Sequence, residues 1–384
     1  MNSTTLHASL TTMSWQHRER LLLAPYAMFS DRSAGREFPE EVHPYRSPFQ
    51  RDRDRVLHSA AFRRLSGKMQ VFTGDMGDYH RTRLTHTNEV SSLARTIGRS
   101  LQLNEDLIEA MALLHDIGHP PFGHCGEDAL DECTHSVGGF SHNRFALELV
   151  TKVEQRYTEY SGLNLTREVL AGQEFRSDKE NGRAPMLEMQ VVDAADSMAY
   201  DAHDVDDAIK LGLLSWEQLS GLGLVQRAKQ IAPIEEAAPE WRRQMLVHAL
   251  LDVQMRDFLS NSLETLQDVR NLDTMGVQDL GIRLAMSSAF ESDKEELEEF
   301  LFDHVYRHPK LTEIRQRAAT RIHQLFRLLK SYPDRLPVRF QAWVPTWGLE
   351  RTIATYIAGM TDRFCDDQYL HLVEMGRSRG ADWS

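Results

Sequence analysis

Apolar positions in this chain recur every three or four residues over most of its length and scarcely ever alternate. That is the spacing of helices that bury one face, and it predicts an all-α protein. Three helices carry most of the information. His86, Val90, Leu93, Ile97 and Leu101 form one stripe, which turns His86 inward. A second helix should start after Asn104, a good capping residue, with Glu105 and Asp106 in its electropositive first turn. It aligns Leu107, Met111, Leu114 and His115, and should end around Gly118, ahead of Pro120 and Pro121. The third, over residues 186–210, has an apolar stripe of Leu187, Val191, Ala194, Met198, Ala202, Val205 and Ile209. Asp196, Tyr200 and Asp204 make a separate row on another of its faces.

Residues 1–50 are polar and interrupted by Pro25, Pro39, Pro44 and Pro48, which predicts an arm with one short helix near 14–23. Helical patterning resumes at residue 51. Beyond residue 215 it continues through WRRQMLVHALLDVQMRDFL, KEELEEFLFDHVY and RTIATYIAGMTDRF, without an internal repeat or a Gly/Ser/Pro linker. We therefore expect an arm (1–50), a catalytic core (51–215, centred on about 82–207) and a C-terminal helical region (216–384) packed on it.

Charge narrows the partners. Acids outnumber bases by 57 to 44, giving a net charge of −13, which disfavours a general grip on nucleic acid or anionic lipid. No apolar run is long enough for a membrane span, and the N-terminal residues lack a basic-then-apolar leader pattern, so a cytoplasmic location is expected. The cysteines, Cys125, Cys133 and Cys365, are odd in number and form no CxxC pair, so metal chemistry would have to use histidine and carboxylate.

Such a set is present. His115 and Asp116 stand together at a helix end, where backbone carbonyls favour a cation. His86 supplies a third group, and the aspartate-crowded segment VVDAADSMAYDAHDVDD needs cations to offset its repulsion. Two imidazoles and two carboxylates suit manganese, iron, zinc or cobalt better than a calcium cage. Hydrolysis by an activated water is the natural reaction class for such a centre. A lone inward histidine is more often a hydrogen-bonded core residue, and an HD dipeptide alone says little; the three features together point to a metal.

Residues 51–83 carry eight Lys/Arg against four acids, a local +4 that reads as an anion site, although RDRDR can also neutralise itself on the surface. Arg83 lies three residues before His86 and shares its face if the helix reaches that far, so it is a candidate phosphate clamp. After the turn rich in glycine and proline, His124 and Glu127 have the spacing of an acid and its orienting carboxylate. His119 is left without a role.

These residues resemble the deoxyguanosine triphosphate triphosphohydrolase (dGTPase) family of the HD-domain superfamily. The likeness runs from PFQRDRDRVLHSAAFRRLSGKMQVF through HRTRLTHTNEV, LNEDLIEAMALLHDIGHPPFGHCGE, GGFSHNRFA, GLNLTREVL and DAADSMAYDAHDVDDA to YIAGMTDRF. It implies an HD-domain helical core with additional C-terminal packing helices, and His86, His115, Asp116 and Asp196 as metal ligands. His124 resembles the catalytic histidine, Glu127 its acidic partner and His142 a further histidine near the phosphates. Arg83 resembles a triphosphate contact, Gln70 and Asp204 the residues at the sugar 3′-hydroxyl, and Tyr200 the aromatic that leaves little room for a 2′-hydroxyl.

The implied reaction converts a dNTP to deoxynucleoside and tripolyphosphate by attack of metal-activated water on the α-phosphorus, the triphosphate bringing its own Mg²⁺. A homo-oligomer and a nucleotide activator are also implied. The alternatives are an HD phosphohydrolase for another nucleotide, such as a monophosphate or alarmone, and a nucleotide-sensing or nucleic-acid-binding scaffold without turnover; nothing in the sequence indicates single-stranded nucleic acid as a partner.

Overall fold

The computed structural model describes residues 13–70, 81–178 and 184–378, with side chains as far as residue 372. Asp75 and Asp78 of the basic segment, and the first residues of the arm, lie outside them. Among the described residues the structure is helical, with isolated bridges such as Met69 to Thr82 and no sheet. The protein is a helical core with further C-terminal helices packed on it.

Three helices make the centre, here called the His86 helix (Arg83–Ser100), the HD helix (Glu105–Leu114) and the aspartate helix (Leu187–Lys210). The His86 helix packs against both of the others. Their apolar stripes meet there: Val90, Ala94, Ile97, Leu107, Leu114, Val191, Ala195, Met198 and Ala202 are all buried. Thr82 caps the first helix by accepting a bond from Thr85 N, so the helix begins at Arg83 and places it one turn from His86. Asn104 caps the second through Leu107 N.

The HD helix stops at Leu114, a turn before the position its sequence suggests. Ile117 N and His119 N bond to Leu114 O and Asp116 O, three and three residues back, so the chain tightens before the prolines exclude further helix. Asp116, in this turn, meets Arg83 of the His86 helix at 2.7 Å.

The described part of the arm has a short helix, Trp15–Leu22, and then enters the core. Tyr26 donates to Leu101 O, and Met28 N donates to the buried Glu188 carboxylate. On the opposite side, the helix Pro309–Ser331 packs on the helix Gly123–Thr134, which bears His124 and Glu127. No described helix is long and apolar enough to cross a membrane.

The basic segment is mostly braced internally. Arg51 and Arg55 pair with Glu40, Arg53 with Asp54 and Glu109, and Arg81 with Glu89 and Asp206. Lys68 is buried, donating to His119 O and Ala358 O at 2.5 and 2.9 Å. Most of the expected anion patch is therefore met within the protein, its arginines by carboxylates and Lys68 by carbonyls, and Arg83 is buried beside Asp116 at 2.7 Å.

Candidate metal centre and substrate pocket

Ligand atoms of His86, His115 and Asp116 lie within 4.8 Å of one another in the buried centre. Asp196 completes the group, its Oδ1 3.1 Å from His86 Nε2 and 3.5 Å from His115 Nε2. The fit to a cation can be tested on His115. Its Nδ1 lies 2.6 Å from Ala112 O, and a carbonyl can only accept, so the proton is on Nδ1. Nε2 is then bare, has no hydrogen-bond partner among the described residues, and faces Asp116 Oδ1 and Asp196 Oδ1, both at 3.5 Å. A lone pair opposite two carboxylate oxygens in a buried site is repulsive unless a cation lies between them. Burial also lowers the basicity of His115, keeping the ring neutral as a ligand must be. The site therefore suits a divalent metal.

Both carboxylates are ionised. Burial alone would push Asp116 up, but the Arg83 guanidinium, at 2.7 Å, holds it well below the usual carboxylate range. Asp196 is likewise held well below that range against burial by Arg176, which donates to its Oδ2 at 2.7 Å. Arg176 also reaches Asp193 at 2.9 Å, while Lys294 serves Asp201, and Arg81, Arg243 and Lys210 converge on Asp206. Much of the charge on the aspartate helix is thus met by protein cations.

Beside this centre is a histidine group. His119 Nε2 lies 3.1 Å from Asp116 Oδ1, and its ring stacks on His142 with centroids 3.7 Å apart and planes at 17°. Glu127 serves two histidines unequally. His142 Nδ1 is 2.8 Å from it and His142 N also donates to it at 2.8 Å, whereas His124 Nδ1 is 3.5 Å away. His124 is the open member, its side chain 58% exposed. Gly118 permits this clustering, since a Cβ there would fall 2.0 Å from His142 O. The paired acid expected from spacing is therefore a triad in which Glu127 holds His142 more closely than His124.

The turn leading to His124 is unusual, with Phe122 and Gly123 both left-handed at φ 64° and 62°. Asp362 from the C-terminal region holds it by accepting Phe122 N at 2.9 Å, while its other oxygen accepts Met69 N at 2.9 Å, next to Gln70. Sequence spacing gave no sign of Asp362, nor of Arg176.

A cavity of about 410 Å³ adjoins the histidines, lined among others by Gln70, His124, Tyr200, Asp204, Tyr306 and Arg315. Tyr200 and Tyr306 share a hydroxyl contact, and Tyr306 donates to Asp204. Burial pushes Asp204 up to about 8 against that bond. The folded protein thus keeps a proton that the unfolded chain loses near the ordinary 3.8. This stabilisation is full below the unfolded value and is lost as pH rises through about 8. Asp204→Asn resembles the protonated acid and should remove that slope. Thermal melts should show the variant gaining on wild type between about pH 4 and 8, by at most about 1.4 kcal/mol per pH unit. A gap that does not change with pH would mean Asp204 is ionised in the folded protein.

Comparison with known proteins agrees with this architecture. Residues 83–201 match the HD domain and residues 284–371 the phosphohydrolase-associated domain, which defines the class as an HD-domain protein with its associated helical region. A relative in Geobacter sulfurreducens described as a deoxyguanosinetriphosphate triphosphohydrolase-like protein is 40% identical, over 93% of this chain and 96% of that one. Another of the same description, in Thiobacillus denitrificans, is 41% identical over 89% and 94%. The chain belongs to the deoxyguanosinetriphosphate triphosphohydrolase-like family of HD-domain proteins.

Proposed function

We propose that this protein is a metal-dependent triphosphohydrolase that converts dNTPs to deoxynucleoside and tripolyphosphate. The observation that carries this reading is the bare His115 Nε2 facing two ionised carboxylates, next to a nucleoside-sized cavity whose near wall is His124. His86, His115, Asp116 and Asp196 would hold the metal. When bound, a divalent ion such as manganese, iron, zinc or cobalt supplies a low-pKa water and polarises a phosphoryl oxygen.

The protein's own groups provide the rest. Arg83, already oriented by Asp116 beside the centre, would offset charge that builds during phosphoryl transfer. His124, with Nδ1 directed toward Glu127, has Nε2 available to protonate the departing 5′-oxygen as the bond to the α-phosphorus breaks. Asp204 and Gln70 lie on the pocket wall where the sugar 3′-hydroxyl would be held. An additional Mg²⁺ carried by the triphosphate, a nucleotide activator, a homo-oligomer and action in the cytoplasm belong to the same proposal and rest on the family resemblance.

The deciding experiment is a panel of four dNTPs with Mn²⁺ and Mg²⁺, singly and mixed, with products separated by chromatography and the reaction run in ¹⁸O-water. Tripolyphosphate carrying the label is expected. Label in the deoxynucleoside would move the attack to C5′, and release of orthophosphate or pyrophosphate would replace this reaction with another HD phosphohydrolase activity. No turnover under any condition, nucleotide activators included, would favour a nucleotide-binding scaffold.

Tyr200 offers a check on sugar selection. Replacing it with Ala should reduce the dNTP-over-NTP ratio in kcat/KM by roughly tenfold or more, because an aromatic wall is removed. Unchanged discrimination would take Tyr200 out of the sugar gate.

A further inference from the structure

We propose that Glu89 and His203 form a hydrogen-bond relay that fixes His86 in the one tautomer able to present a bare Nε2 to a metal, making both positioning residues for the centre. This rests on the reading of His86 as a ligand. The relay spans two elements, since Glu89 lies one turn beyond His86 on the same helix and His203 two turns beyond Asp196 on the aspartate helix.

The order of protons follows from the contacts. Glu89 is an acceptor when ionised, and its carboxyl is held below the usual range, against burial, by His203. His203 Nε2 lies 2.5 Å from Glu89 Oε2, so Nε2 carries a proton. A neutral imidazole has a single ring proton, so with Nε2 donating to Glu89 the Nδ1 of His203 is an acceptor. That Nδ1 is 3.1 Å from His86 Nδ1. One of two adjacent ring nitrogens must donate, so His86 Nδ1 bears the proton and His86 Nε2 is left bare toward Asp196 Oδ1. The ring planes of His86 and His203 are 74° apart, which lets one nitrogen address the other nearly edge-on.

The outer end is anchored too. Arg81 donates to Glu89 at 2.6 Å and to Asp206 at 2.9 Å, and Asp206 also receives Arg243 and Lys210. Glu89 therefore has little freedom although its side chain is half exposed. A histidine ligand with its far nitrogen bonded outward is held at a fixed rotation and is a better donor to the metal. A buried His–His contact serving only packing would show no such directional chain ending on a braced carboxylate.

The test is the affinity of the full-length protein for Mn²⁺ or Co²⁺, measured by chelator competition with a thermal melt on each variant. His203→Phe and Glu89→Leu should weaken binding by about 10–100-fold. Glu89→Gln keeps an oxygen that accepts from His203 and should restore most of the loss. A folded His203→Phe or Glu89→Leu protein with wild-type affinity overturns the relay; the surface position of Glu89 keeps the test open if His203→Phe fails to fold. Wild-type affinity in His86→Ala would instead remove the ligand reading, and the relay with it, which the His203 and Glu89 variants alone would not do.

Discussion

His115→Ala and Asp116→Ala should each lose bound metal and turnover together, as measured by elemental analysis and dNTP hydrolysis on the same preparation. The two should differ in stability. Removing the Asp116 carboxylate leaves the buried Arg83 guanidinium without its partner, an expected cost of about 3–5 kcal/mol, whereas His115→Ala strands no charge of that kind. Asp116→Asn keeps the volume and separates loss of the ligand from loss of fold. A metal-replete His115→Ala protein with full activity would falsify the ligand assignment.

The opposite dissociation is expected of His124. Its side chain is largely exposed and stands against Glu127 and the rings of His119 and His142, so His124→Ala should fold and retain metal. kcat should nevertheless fall by roughly 10²–10⁴, the usual contribution of a general acid, with a smaller change in KM. The closer contact of Glu127 with His142 makes His142→Ala the decisive companion. A larger kcat loss there than in His124→Ala would transfer the proton-donating role to His142 and leave His124 as part of the pocket wall.

Much of the centre is legible in the sequence because periodicity carries it. The His86 stripe, the Asn104 cap and the row of Asp196, Tyr200 and Asp204 are all short-range patterns, and the structure places each on the face that its spacing implies. What escapes is polar contact between segments far apart, which leaves no periodic trace. Arg176 reaches across twenty residues to Asp196, and Asp362 across 240 to Phe122. His203, seven residues beyond Asp196 on the same helix, drew no notice from spacing, and its contact with Glu89 is another such pairing. His119, without a role by spacing, proves to be wedged between Asp116 and the His142 ring. The overestimated extent of the HD helix has a local cause, the tightened turn before Pro120, and the overestimated anion patch has a distant one, the acids that meet its arginines.

The grip of Asp362 on Phe122 and Met69, with Lys68 spanning from His119 to Ala358, has a bearing on biogenesis. During synthesis the residues of the HD turn leave the ribosome about 240 residues before their clamp. Closing so long a loop is a late, non-local event in folding. A chain interrupted before residue 362 would carry all four metal-facing side chains and lack the anchor of its left-handed turn. The HD segment and its associated region are thus joined at the level of inheritance as well: a recombined pair from two relatives would have to preserve this clamp across the junction before it could share one working pocket.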